Sequence, residues 1–130
     1  MTSDRQAFAV DPVEPFSKVI RAAGLVFVKS QIGGDSETGE YPDDIGVQTR
    51  NTLEHLEHAL EMAGSRLANA MKLNVYLSHI DRDFEAMDAS FVKFFEERGV
   101  TERPARTAIG AALSWPQLLV QMDLVAVAGD

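Results

Sequence analysis

The sequence predicts an α+β fold, a β-sheet with both of its helices packed on one face, and three observations carry that expectation. Two segments repeat their apolar residues at helical spacing, and five others are β-branched or alternate in polarity. Their order along the chain is β-β-α-β-α-β-β. A hydrophobic content of 45% over 130 residues supports one core and leaves no room for two, so residues 1–130 are expected to form a single domain.

Residues 16–29, FSKVIRAAGLVFVK, read as two short strands broken at Ala23-Gly24, a hairpin-like turn between β-branched segments. The following QIGGDSETGEYPDD is loop chemistry, and Asp43 or Asp44 is placed to cap a helix. Over residues 45–63, Leu53, Leu56, Leu60 and Ala63 recur at helical spacing, and Gly64 stops the segment. Residues 71–79 alternate, with Met71, Leu73, Val75 and Leu77 on one face of a strand. Residues 81–98 return to the helical period with Phe84, Met87, Phe91, Phe94 and Phe95 on one stripe before Gly99, a pattern that marks core rather than a platform for stacking bases. Two further strands, about 104–112 and 118–128, are joined by the turn around Ser114-Trp115-Pro116.

The last strand has an apolar face, Leu118, Val120, Met122, Leu124 and Ala126, suited to the helices. Its other face, Leu119, Gln121, Asp123, Val125 and Val127, is too apolar for water and too polar for an ordinary core, which predicts a homo-oligomer that buries it. In the preceding strand the expected arrangement turns Thr107, Ile109 and Ala111 toward the helices. Arg106, Ala108 and Gly110 then face the oligomer side, with a hollow beside the guanidinium. Two readings of Arg106 stand equal on periodicity: a fork that grips a small carboxylate or phosphate, or an intersubunit salt bridge to Asp123 or another acid.

A formal net charge of −8, with 12 Lys and Arg scattered among the acids, opposes phosphate backbones, so no nucleic-acid partner is expected. Cysteine is absent, which removes disulfides, thiolate nucleophiles and Cys-based metal sites. The start MTSDRQAFAV has no long apolar run, and no run approaches the ~18 residues that cross a bilayer; a soluble cytoplasmic protein without membrane contact is the expectation. His55 and His58 form an H-x-x-H pair, but both fall opposite the leucine stripe, toward solvent, which argues against metal. His79 reads as a surface residue. QIGG lacks a nucleotide-binding pattern, and no Ser-His-Asp order stands out.

RPARTAIG, KSQIGGDSETGE, the helix QTRNTLEHLEHALEMAGS and the closing LVQMDLVAVA together resemble the Rid family of imine and enamine deaminases, also called the YjgF-type or L-PSP endoribonuclease family. The resemblance spans about residues 15–128. It implies a chorismate-mutase-like sheet assembled as a homotrimer, with the sheets around a barrel-like core and active sites in the clefts between subunits. It also implies hydrolysis of small 2-imino or 2-enamino acids to 2-keto acids and ammonia, with no cofactor. By the same resemblance Arg106 grips the substrate carboxylate, Phe16, Ser30, Asp88 and Ala108 line the substrate, and Gln121 positions the attacking water.

This chain departs from the family pattern at several of these places. Gln121 stands where a glutamate is typical, Phe16 where a tyrosine is frequent, Asp88 where some members have asparagine, and Ala108 for a frequent cysteine. S-G-Q-I reads KSQI, which brings Lys29 to the pocket mouth. A glutamine holds a water but cannot take its proton. Three functions follow: a deaminase that works by positioning, a non-catalytic or regulatory module that binds small carboxylates through Arg106, and a ribonuclease, which the acidic charge disfavours.

Overall fold

The computed structural model describes residues 4–129; the first three residues of MTSDRQAFAV and the last residue of the expected 1–130 domain lie outside them. A six-stranded sheet, two long helices and one 3-10 turn follow in the order β1 (Gln6–Phe8), β2 (Val19–Ala22), β3 (Leu25–Ile32), α1 (Ile45–Met62), the turn Leu67–Asn69, β4 (Ala70–Leu77), α2 (Ile80–Glu97), β5 (Ala105–Gly110) and β6 (Val120–Val127). The strands lie in the order β1-β2-β3-β6-β4-β5, with β4 and β5 parallel and every other pair antiparallel. Both helices cover one face, as the sequence predicts. Among the described residues no helix is long and apolar enough to cross a membrane.

The β2–β3 hairpin closes on Ala23 and Gly24, at φ 53° and 77°, the two positive values that a type I′ turn needs. Two expectations need correction at this end. Phe16 is not in a strand, because the chain bends at Pro15-Phe16 and regular pairing starts only at Val19. The three-residue β1, added outside β2, was too short to show a period.

Asp44, not Asp43, caps α1, its carboxylate accepting from the Val47 N–H at 3.0 Å. Both helices end alike. Gly64 takes φ 77° and Gly99 φ 69°, Ser65 N–H reaches back to the Leu60 carbonyl, and Val100 N–H to that of Phe95. Leu53, Leu56, Leu60, Met87, Phe91, Phe94 and Phe95 are buried against Val26, Val28, Leu73, Val75, Leu77, Val120, Met122 and Leu124. Arg98 ties the helices together, donating to Glu57 of α1 at 2.6 Å with its guanidinium 3.4 Å from the Phe94 ring centre.

Two stripe residues leave the core. Met71 is exposed because the pairing of β4 with β6 slips between Ala70 and Lys72, breaking the alternation there. Phe84, one turn inside α2, sits at the rim of the helix layer. The connection from β5 to β6 is no hairpin, since β4 lies between them. It passes the end of β4, where Ala111 N–H donates to the Leu77 carbonyl and Ser78 N–H to that of Leu119.

Gln48 of α1 is wholly buried and spends its amide on three backbone groups. Nε2 donates to the carbonyls of Pro42 (2.8 Å) and Gln117 (2.9 Å), and Oε1 accepts from Leu119 N–H (3.0 Å). It thereby pins the loops before α1 and before β6. Gly33 packs directly on it, and a Cβ there would fall 2.7 Å from the Gln48 Cβ. Gln48→Leu is expected to destabilise the fold by about 3 kcal/mol, because those three backbone groups lose their partner in a site closed to water. Urea unfolding checks this as a lower midpoint at unchanged slope.

Candidate active site

Arg106 sits on the face opposite to the one its sequence context suggests. In the parallel pairing Arg106 stands beside Leu73 and Ala108 beside Val75, both buried under the helices, while Thr107 and Ile109 stand beside Asn74 and Tyr76 on the open face. Gly110 confirms the register, since a Cβ there would meet Ile80 of α2 at 2.9 Å. The expected roles of the two faces are therefore reversed. The cause is the position of β5 at the edge of the sheet, where the helix layer thins and leaves room beside α2 for a long charged side chain, which stays 20% exposed. Thr107 and Ile109 read as core by residue type, yet they look outward.

The guanidinium carbon of Arg106 lies 4.7 Å from the Phe91 ring centre and 5.8 Å from that of Phe84, and Nη2 meets Asp88 Oδ1 at 2.7 Å. In place of the expected hollow, aromatic walls from α2 flank the group, and Ala108 packs on the core. The sequence hides these aromatic walls, because Phe84 and Phe91 have the helical spacing of plain core. Nor does Asp123 pair with Arg106 within one chain. Its carboxylate accepts from Asn74 at 2.9 Å and from Ser30 at 3.4 Å. Burial first, then the Asp123 charge, pushes the neighbouring Tyr76 phenol above its usual range, so Tyr76 stays a neutral donor on the open face.

The other expected site residues gather elsewhere. A cleft of about 700 Å³ opens where β3 ends and β6 begins, and Phe16, Ser30 and Gln121 line it with Lys29, Trp115 and Glu14. A β-bulge builds it. Val28 pairs with Leu124 and Gln31 with Met122, so Lys29 and Ser30 together oppose the single Asp123, and both turn toward the cleft. Lys29 Nζ lies 4.8 Å from the centre of the Phe16 ring. Gln121 pairs with Ile32 on one side and Tyr76 on the other, which fixes its side chain on the open face. Trp115 stands edge-on to Tyr41 at 6.2 Å; the sequence marks it only as part of a turn, and the signal that points to it there is a lone tryptophan in a loop.

The six expected site residues thus form two half-sites. Phe16, Ser30 and Gln121 share the cleft, while Arg106, Asp88 and Ala108 lie at the β5 edge on the opposite face of the sheet. One chain does not bring them together. His55 is not free on a solvent face, since its Nε2 lies 2.7 Å from the Gly34 carbonyl oxygen, whereas His58 and His79 are exposed. Among the described residues no three His, Asp or Glu side chains converge as a metal site would require.

The endoribonuclease L-PSP family model matches residues 6–128. A RutC family protein of Pyrococcus abyssi is 34% identical over 119 residues, covering 91% of this chain and 90% of its own. The 2-iminobutanoate/2-iminopropanoate deaminase of Escherichia coli K12 is 25% identical, with 88% of each chain covered. The crystal structure of E. coli TdcF with bound serine superposes with a TM-score of 0.82 at 25% identity, over 90% of this chain and 91% of that one. A family match over almost the whole chain and the shared sheet-and-helix architecture lead to one conclusion: this protein belongs to the endoribonuclease L-PSP family, the Rid or YjgF family of the sequence resemblance.

Proposed function

We propose that the protein hydrolyses small reactive 2-imino or 2-enamino acids to 2-keto acids and ammonia in clefts between copies of the chain. The observation that carries this reading is the division of the site into two halves that each lack what the other holds. The edge half offers a guanidinium braced by Phe91 and Asp88, a fork for a carboxylate. The cleft half offers room and a side-chain amide, Gln121, that can hold a water. A second copy whose β5 edge docks beside the first one's cleft joins them, and the apolar open face supplies the surface on which copies meet. A homotrimer closes three such sites by rotation.

Arg106 then fixes the substrate carboxylate, with Phe16, Ser30 and Ala108 around the ligand. The water held by Gln121 meets a carbon made electrophilic by protonation of the imine, so orientation supplies much of the rate. The reaction as written consumes only water and needs no cofactor. The E. coli relative named as an imine deaminase and the serine bound by TdcF, an amino acid of the expected size, support this substrate class. A net charge of −8 speaks against RNA as substrate.

The test is stopped-flow detection of ammonia and keto acid from freshly generated 2-iminopropanoate and 2-iminobutanoate. Acceleration over buffer is expected. Gln121→Ala should lower kcat about tenfold while KM stays put, the mark of a group that acts on the water rather than on the ligand. One observation favours a second reading: Gln121 itself cannot accept a proton. A protein that binds small carboxylates through Arg106 and accelerates none of these substrates would be a binding module.

A further inference from the structure

We propose that Asp88 receives the cationic nitrogen of the ligand and carries the proton of the hydrolysis, so that the site selects small zwitterions over simple carboxylates. The proton role rests on the deaminase reading; the zwitterion preference does not. Asp88 meets Arg106 Nη2 at 2.7 Å yet keeps 43% of its side chain exposed. A guanidinium has further N–H donors, so a ligand carboxylate can join Arg106 while Asp88 stays in place. A ligand held in that way has its second carbon, and the nitrogen on it, beside the Asp88 carboxylate. A carboxylate ligand without nitrogen meets only repulsion there.

Asp123 and Glu14 are acids on the cleft half. Asp123 already accepts from Asn74 and Ser30, and Glu14 lines the cleft half, away from the arginine. Asp88 is the carboxylate that Arg106 itself holds in place.

The protonated imine, C=NH2+, pairs with Asp88. Water held by Gln121 of the second copy attacks C2; the new C–O bond forms, the π pair of C=N moves to nitrogen, and one water proton passes to Asp88. Asp88 returns that proton to the nitrogen. The C–N bond then breaks with its electron pair on the departing ammonia, the hydroxyl proton follows, and the products are keto acid and ammonium.

The experiment uses calorimetry with L-2-aminobutanoate and butanoate on wild type and Asp88→Asn, followed by kinetics on both. The wild type is expected to bind the amino acid about fivefold more tightly than butanoate, and Asp88→Asn to reverse that order by removing the repulsion. Turnover by Asp88→Asn should fall about 100-fold in kcat, with Asp88→Glu recovering part of the loss. A preference unchanged by Asp88→Asn, equal binding of both ligands, or binding of neither would overturn the nitrogen-binding role. Full kcat in Asp88→Asn, or a loss transferred to Glu14→Gln instead, would overturn the proton role. A wild type that prefers the zwitterion but turns nothing over removes the deaminase reading and leaves the Asp88 preference standing.

Discussion

Replacing Arg106 with alanine is expected to lower kcat/KM for 2-iminopropanoate by about three orders of magnitude, because it removes both the ligand's anchor and the charge that orients the carbon under attack. The fold should survive. The guanidinium stands at the sheet edge rather than in the core, and its ion partner Asp88 is half-exposed, so the variant leaves no sealed unpaired charge. Arg106→Lys separates charge from geometry. A lysine keeps the positive charge but presents no planar fork and does not stack on Phe91 as the guanidinium does, so it should recover only a minor part of the rate. Steady-state kinetics beside urea unfolding read both variants. A near-normal rate in Arg106→Ala would remove the arginine from the site, and with it the common axis of the carboxylate and deaminase readings.

The second large effect concerns assembly. Phe27 is 45% exposed on the open face of β3, directly beside Val125 of β6, with Val127 close by. Wild type is expected to scatter light as three times the 14.3 kDa of one chain. Phe27→Glu places a carboxylate on that face, where burial without a partner costs several kcal/mol, and a charge repeated around a symmetry axis repels its own copies. The expected result is a folded monomer with native circular dichroism and no turnover, since Gln121 and Arg106 then never meet. A monomeric protein that keeps full activity would show that one chain makes the whole site.

Much of this architecture was legible because residue periods carry it. Leu53, Leu56 and Leu60 mark one face of α1, and Phe91, Phe94 and Phe95 one face of α2, since burial of a helix demands a stripe whatever the neighbours are. Gly64 and Gly99 announce the helix ends because few other residues accept their backbone angles. Arg106 stood out by being a charge among small residues. Its direction did not, because the choice between two faces of an edge strand depends on where the helix layer stops, and no alternation of residue types records that. Only the family resemblance points to Ser30 and Lys29. The bulge that presents them breaks the period of two on which strand reading depends. Phe84 failed for the opposite reason: it keeps the helical period and yet lies past the rim of the core.

The central place of β6 bears on how the chain is made. β6 pairs with both β3 and β4, and among the described residues no other strand joins the two halves of the sheet. Until residues 120–127 leave the ribosome, β1-β2-β3 and the parallel pair β4-β5 are separate pieces, each with an open hydrogen-bonding edge and helices that have only part of a sheet to rest on. The nascent chain therefore carries two adhesive edges through most of its synthesis, and a single late strand seals both at once. Folding is in this sense a closing event, governed by the arrival of β6 and by the long loops it must bridge, and the interval before that arrival is when aggregation competes most strongly.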